Sequence, residues 1–127
     1  MKTITQAIIQ DCLKNRNLEL KSTQHQLSLP IINRMYRKMI NGIKFSEIQI
    51  HENLIIDGHH RYISAQLANQ EIQSRPSNRN SYTRIYEWEN VNFVDEEWDT
   101  ARKIQLFNKL DAAYNQISVE QIDQMIE

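Results

Sequence analysis

The sequence predicts an α+β domain, a small mixed sheet with helices around it, and three observations carry that prediction. Ile31, Ile32, Met35, Tyr36, Met39 and Ile40 recur at one, three and four residues, the stripe of an amphipathic helix. Two short apolar runs, Ile48 to Ile50 and Leu54 to Ile56, flank His51-Glu52-Asn53, a connection short enough to make them an antiparallel pair. The stretch Leu54-Ile55-Ile56-Asp57-Gly58-His59-His60-Arg61-Tyr62 then passes from an apolar strand through a glycine into a helix. At 127 residues the chain fits one domain, since domains commonly run about 100–150 residues.

The remaining elements follow in order. Ile4, Ala7, Ile8 and Cys12 keep helical spacing, which fades in the polar stretch Lys14 to Lys21. Leu18 to Leu29 alternates unevenly and includes a short strand ending at Pro30, and Gly42 stops the amphipathic helix. Tyr62 to about Asn69 suits a helix. Residues 70–83, rich in Ser, Asn and Pro with Arg75 and Arg79 interspersed, read as a loop. Tyr82 to Trp88 and Val91 to Val94 have strand character, and Trp98, Ala101, Ile104, Phe107 and Leu110 mark a further helix. Ser118 with Gln121 forms a capping box for a last helix carrying Val119, Ile122, Met125 and Ile126. Trp88, Phe93 and Trp98 are expected in the core.

Composition bounds the function. The chain is 40% hydrophobic and 24% charged, and its longest apolar run is far short of the about 20 residues of a membrane span. No membrane partner is expected, and the cytoplasm is the expected site of action. The stretch from Met1 to Gln6 turns polar too soon for a signal peptide, which leaves delivery within a larger secreted protein as the route out of a cell. Cys12 stands alone, so an internal disulfide and a cysteine zinc cluster are both excluded, and it is expected as a buried, inert thiol. The net charge of −1 conceals a division: residues 31–86 carry eight Lys or Arg against four Asp or Glu, and residues 87–127 carry three against ten.

The glycine junction is where chemistry is expected. The free N–H groups of a helix start favour an anion such as phosphate. Arg61, in the first turn, has a guanidinium that can grip phosphate. His59 and His60 can take and give protons near neutral pH, and phosphodiester cleavage needs such groups together with a cation. One imidazole is expected in chemistry and the other in packing; the alternative is that both are hydrogen-bonded junction residues. Asp57 either caps the helix, worth about 1 kcal/mol, or orients His59 or a metal. The candidate catalytic set is therefore His60, Asp57, His59 and Arg61, and the candidate phosphate-binding set is Gly58, His59, His60 and Arg61. His25, His51, His59, His60 and Asp57 match no compact ligand spacing, so no metal site is assigned. Glu47 and Glu52 are either exposed hairpin charges or a carboxylate supplied to the junction.

The order helix, Gly42, strand, turn, strand, Asp57-Gly58-His59-His60-Arg61-Tyr62, helix resembles the core of the ParB and sulfiredoxin superfamily over roughly residues 18–70. The resemblance implies a ParB/sulfiredoxin-like core, with residues from about 95 to 127 as a helical C-terminal extension of a single domain spanning 1–127. Gly58 matches the glycine after the strand, His60 the sulfiredoxin histidine, and Arg61 the terminal arginine of both patterns. His59 stands where sulfiredoxin has its reducing cysteine, so sulfinic acid reduction is not implied. Thr23-Gln24-His25 is a faint substitute for the first box of partition ParB proteins, and the chain has no room for their helix-turn-helix and dimerisation domains. Ile55 to Ile63 together with Trp98-Asp99-Thr100 looks like the compact ParB-like domains of bacterial polymorphic toxins, which implies a nuclease. The resemblance implies a nucleoside triphosphate as a candidate cofactor, and a divalent metal is the other candidate.

Flanking charges suggest partners. Arg34, Lys38, Arg75, Arg79 and Arg84 are the candidate nucleic-acid contacts, with Tyr82 and Tyr86 able to stack on bases; the alternative is an ordinary solvated face. Asp95-Glu96-Glu97 either caps a helix start or forms a patch for a partner such as a cognate immunity protein. The leading expectation is a phosphate-directed nuclease toxin module. The others are an ATP- or CTP-binding or phosphotransferase domain, and a non-enzymatic interaction or immunity-type module.

Overall fold

Ile9, Leu27, Ile32, Ile55 and Ile63 are completely enclosed, and the first three helices, with the strands around Leu27, Ile48, Ile55 and Phe93, supply their cover. The computed structural model describes residues 3–127; Met1 and Lys2, the start of the stretch examined for a signal peptide, lie outside the described residues. In chain order the elements are α1 (Gln6–Lys14), β1 (Gln26–Ser28), α2 (Leu29–Ile40), β2 (Ile48–His51), β3 (Leu54–Asp57), α3 (His59–Ala68), β4 (Ser74–Pro76), β5 (Asn92–Val94), α4 (Ala101–Asn115) and α5 (Val119–Met125). The architecture is mixed α+β, five helices with two small sheets.

Local chemistry sets the helix starts. Thr5, Ser28, Thr100 and Ser118 each accept a hydrogen bond from the N–H three residues on, satisfying one of the donors a helix start leaves open. At Ser118 the expected capping box with Gln121 is complete. Pro30 fits the first turn of α2, where a missing N–H costs nothing. The chain leaves α2 through Asn41 and the positive-φ Gly42.

One sheet has the order β3-β2-β4, with β2 antiparallel to β3 and parallel to β4; the other pairs β1 with β5 in parallel. The hairpin link is two residues, Glu52 and Asn53, one fewer than expected, because His51 itself pairs with Leu54. Residues 70–83 are not all loop: Ser74 to Pro76 adds an edge strand to β2, and its three exposed residues carry no apolar alternation to reveal it. Tyr82 to Trp88, expected as a strand, pairs only at Tyr86, which exchanges two backbone hydrogen bonds with Ser22. Tyr82, 83% exposed, has no sheet face to cover.

The main core joins Ile4 and Ile9 to Leu27, Leu29, Ile32, Ile48, Ile55, Tyr62, Ile63, Val91 and Phe93. It lies between α1, the packed pair α2 and α3, and the two sheets. Phe93 is core as expected, and Trp88 is half-buried, stacked on Tyr62 and donating its indole N–H to the Leu20 carbonyl. Trp98 is a correction: it is 40% exposed and stands edge-on to His60. Cys12 is only partly buried.

A second, smaller cluster joins Ile43 and Phe45 to Ala112, Ile117, Val119, Ile122 and Met125. Through it α5 and the C-terminal half of α4 rest on the segment after α2. The apolar stripe expected to bury α4 is covered only in part: Leu110 faces outward with Leu106 and Tyr114, Phe107 is 43% exposed beside a half-buried Ile104, and Asn108 and Ala112 face inward. Polar groups take the inner side because they meet polar partners there: Lys38 Nζ lies 2.7 Å from Asp111, and the Asn115 amide makes two hydrogen bonds with the Lys44 backbone.

Candidate functional site

Gly58 has φ +98 and ψ 28, and a Cβ added to it would stand 2.5 Å from Ile48 Cγ2. Only glycine combines that left-handed turn with such close packing on β2. The turn directs α3 away from β3 and leaves its N-terminus without a side-chain cap. Asp57 does not cap it; its carboxylate meets Arg61 Nη2 at 3.2 Å, one turn on. His59, His60 and Arg61 are the first three residues of α3, and the first helical hydrogen bond runs from Tyr62 N–H to the Gly58 carbonyl. Helix geometry therefore leaves three N–H groups without an intrahelical acceptor at the positive end of the dipole.

The imidazoles are anchored. His59 is 2% exposed, and its Nε2 accepts the Thr23 N–H at 3.0 Å, while the Thr23 hydroxyl donates to the Ile55 carbonyl at 2.6 Å. His60 Nε2 accepts the Ser28 N–H at 2.9 Å. In each ring an accepting Nε2 puts the proton of the neutral form on Nδ1. Burial lowers the pKa of His59 from 6.5 to about 4 against the opposing pull of the Asp57 charge. Burial, reinforced by repulsion from His59 and Arg34, takes His60 to about 4 as well. At neutral pH both rings are uncharged acceptors that fasten α3 to two other segments. This is the arrangement in which both are hydrogen-bonded junction residues, and neither has a free lone pair for general base work. His59 Nδ1 is buried without a partner.

Arg61 is a strut as well as a charge. Its Nη1 donates to the Ser46 carbonyl, the Ser46 hydroxyl and the Glu47 carbonyl, at 2.8 to 3.1 Å, tying the start of α3 to the approach to β2. Glu47 is exposed and lies 3.9 Å from Arg75 Nε, so Arg75 stands beside the strut. Glu52 sits in the hairpin turn, at the far end of β3 from Gly58.

A cavity of about 490 Å³ opens in front of this junction. Its walls include Gly58, His59, His60 and Arg61 from one side, Arg34 and Lys38 of α2, and Asp99, Asn108 and Asp111 from the C-terminal segment. Thus the structure brings Asp57 to Arg61 together with Arg34 and Lys38, two of the candidate nucleic-acid contacts. Both cations are already paired. Arg34 grips the Glu97 carboxylate with both terminal nitrogens and reaches Asp99 at 3.4 Å; Lys38, 4% exposed, holds Asp111. The Arg34 hydrogen bond holds the Glu97 carboxyl below its ordinary pKa. Arg79 and Arg84 are exposed and line no part of the cavity.

Sequence reasoning missed Thr23 and Ser28 as the imidazole anchors, Ser46 as the Arg61 seat, and Asn108 with Asp111 as cavity walls. Only Ser28, between Leu27 and Leu29, and Asp111, between Leu110 and Ala112, stand out as polar amid apolar neighbours; the others carry no local signal. The acidic run Asp95-Glu96-Glu97 is exposed; Glu97 pairs with Arg34 in place of capping α4, whose cap is Thr100. Among the described residues no three His, Cys, Asp or Glu side chains converge as a metal site, and no helix is long and apolar enough to cross a membrane. Comparison of the chain with family models, curated proteins and solved structures found no match.

Proposed function

We propose that this chain is a ParB-like, phosphate-directed domain acting as a nuclease toxin module on nucleic-acid phosphodiesters in the cytoplasm of a target cell. One observation carries the reading: the uncapped start of α3, held open by Gly58, faces a cavity whose walls carry Arg34, Lys38 and Arg61. Backbone N–H groups at a helix start and nearby cations form an anion seat. The N–H groups of His59, His60 and Arg61 bind a phosphate oxygen, Arg61 adds its charge from a fixed position, and His59 and His60 keep the turn in register. With both imidazoles neutral and engaged, Asp57, whose side chain is 64% exposed, is the carboxylate available to accept a proton from an attacking water.

The test is incubation of the purified protein with single-stranded DNA, duplex DNA and RNA, with and without divalent metal. Cleavage by the wild type and its loss in Asp57→Asn are expected, with pyrophosphate binding retained by that variant in calorimetry. Intact nucleic acids under every condition, together with no toxicity on expression inside bacterial cells, would overturn the nuclease assignment.

A second reading, an ATP- or CTP-binding or phosphotransferase domain, is favoured by the cavity itself. Its volume falls within the about 300–1,000 Å³ usual for small-molecule sites, and Ile31, Met35, Ile104 and Phe107 give it apolar walls beside the anion seat. Micromolar ATP or CTP binding without cleavage would select it.

A further inference from the structure

Three features outside the phosphate seat converge on the segment from Glu97 to Asp111. First, it supplies the carboxylates that hold the cavity's α2 cations: Glu97 and Asp99 on Arg34, and Asp111 on Lys38. The cavity walls therefore carry Arg34, Lys38 and Arg61 against Asp57, Asp99 and Asp111, an even balance that leaves an anion little net attraction. A guanidinium takes a carboxylate or a phosphate through the same two parallel hydrogen bonds, so Glu97 occupies the fork a phosphate would use.

Second, the closed arrangement is imperfect. His59 Nδ1 on α3 and Asn108 Oδ1 on α4 are buried without partners, and both residues line the cavity. The Asn108 amide nitrogen is committed to Asp123 at 3.0 Å, which fixes the oxygen as the orphan. A buried group left unpaired is unfavourable, and that cost opposes closure.

Third, the attachment is uneven. The C-terminal end of α4 and all of α5 rest on the apolar cluster of Ile43, Ala112 and Ile122. The stretch from 97 to 108 buries less: Trp98 is 40% exposed and meets only the edge of His60, Leu106 faces outward, and Phe107 lines the cavity while remaining 43% exposed. The cluster holds one end and the Glu96 carbonyl, which accepts the Ser28 hydroxyl at 2.7 Å, holds the other, so the ion pairs are the releasable contacts between them.

We propose that the Glu97 to Asp111 arm is a built-in competitor for phosphate: its carboxylates hold Arg34 and Lys38, and an anion seats fully at the start of α3 only as they let go. The proposal rests on the phosphate reading above. Arg34 exchanges Glu97 for the ligand, and the stretch between the held points at Glu96 and Ala112 moves away from the cavity.

The probe is inorganic pyrophosphate, titrated calorimetrically into the wild type and into the Glu97→Gln/Asp99→Asn double variant, which spares the buried Lys38 pair. The double variant is expected to bind about tenfold more tightly. Equal or weaker binding by it would overturn the competitor and leave the phosphate seat standing; no binding by either protein would overturn both. Hydrogen exchange on the wild type gives a second readout that needs no variant. Pyrophosphate is expected to speed exchange over residues 97–108 while residues 112–125 stay protected, and unchanged or slowed exchange over 97–108 at saturation would overturn the proposal.

Discussion

Ile63 in α3 and Asp111 in α4 represent two ways of attaching a helix. Ile63 has no exposed surface and is enclosed by the main core, whereas Asp111 holds its helix to α2 through one ion pair with Lys38. The first attachment is apolar, short-ranged and indifferent to salt. The second depends on charge, and because Lys38 and Asp111 are largely buried, salt screens it little. The body and the arm meet at the cavity, so in the proposed reading the rigid wall carries the anion seat and the releasable wall its competitor. Position and access are thereby assigned to different parts of the chain.

The largest expected effect lies in the body. Ile63→Ala leaves a cavity in the main core and should lower global stability by about 2–5 kcal/mol in urea unfolding. A change below 1 kcal/mol would mean that the core is not packed around α3 as described.

Acid should attack the same region next. His59 and His60 have folded pKa values of about 4 against an ordinary 6.5, so between these values the unfolded chain binds more protons. Stability then rises with pH through that window: the contribution is fully present above pH 6.5 and is lost as pH falls through about 4. Each imidazole contributes on the order of 3 kcal/mol. Urea titrations at intervals across the window should show the slope, and a flat profile would contradict neutral, buried imidazoles.

The cluster that anchors the arm should respond on a smaller scale. Ser118→Ala removes one half of the capping box and should lower the protection of α5 by about 1 kcal/mol in hydrogen exchange, with α3 unaffected. Equal loss in α3 would erase the distinction between body and arm.

The body was the legible part of the sequence for a physical reason. Ile31, Ile32 and Met39 repeat at helical spacing because one face of α2 meets an apolar core, and the β2 and β3 runs are apolar for the same reason. The Ser118 box is likewise local, complete within four residues. The arm misleads the same logic. On α4 the inward positions Asn108, Asp111 and Asn115 answer polar partners far away in the chain, and the apolar stripe is left partly outside. Ser74 to Pro76 is invisible because an exposed edge strand needs no alternation, and Tyr82 to Trp88 alternates without a strand to pair with.

At the site, the residues were legible and their duties were not. Gly58 declared itself through the turn, and the helix after it followed. That His59 and His60 are acceptors depends on Thr23 and Ser28, more than thirty residues earlier, which no local pattern reveals.

The most direct test of the anion seat is a titration of ¹⁵N-labelled protein with pyrophosphate, followed by amide chemical shifts. The account predicts saturable shifts at Gly58, His59, His60 and Arg61, with Arg79 and Arg84 unmoved. Saturable shifts confined to the Arg79 to Arg84 loop, or none at Gly58 to Arg61 up to millimolar ligand, would contradict it.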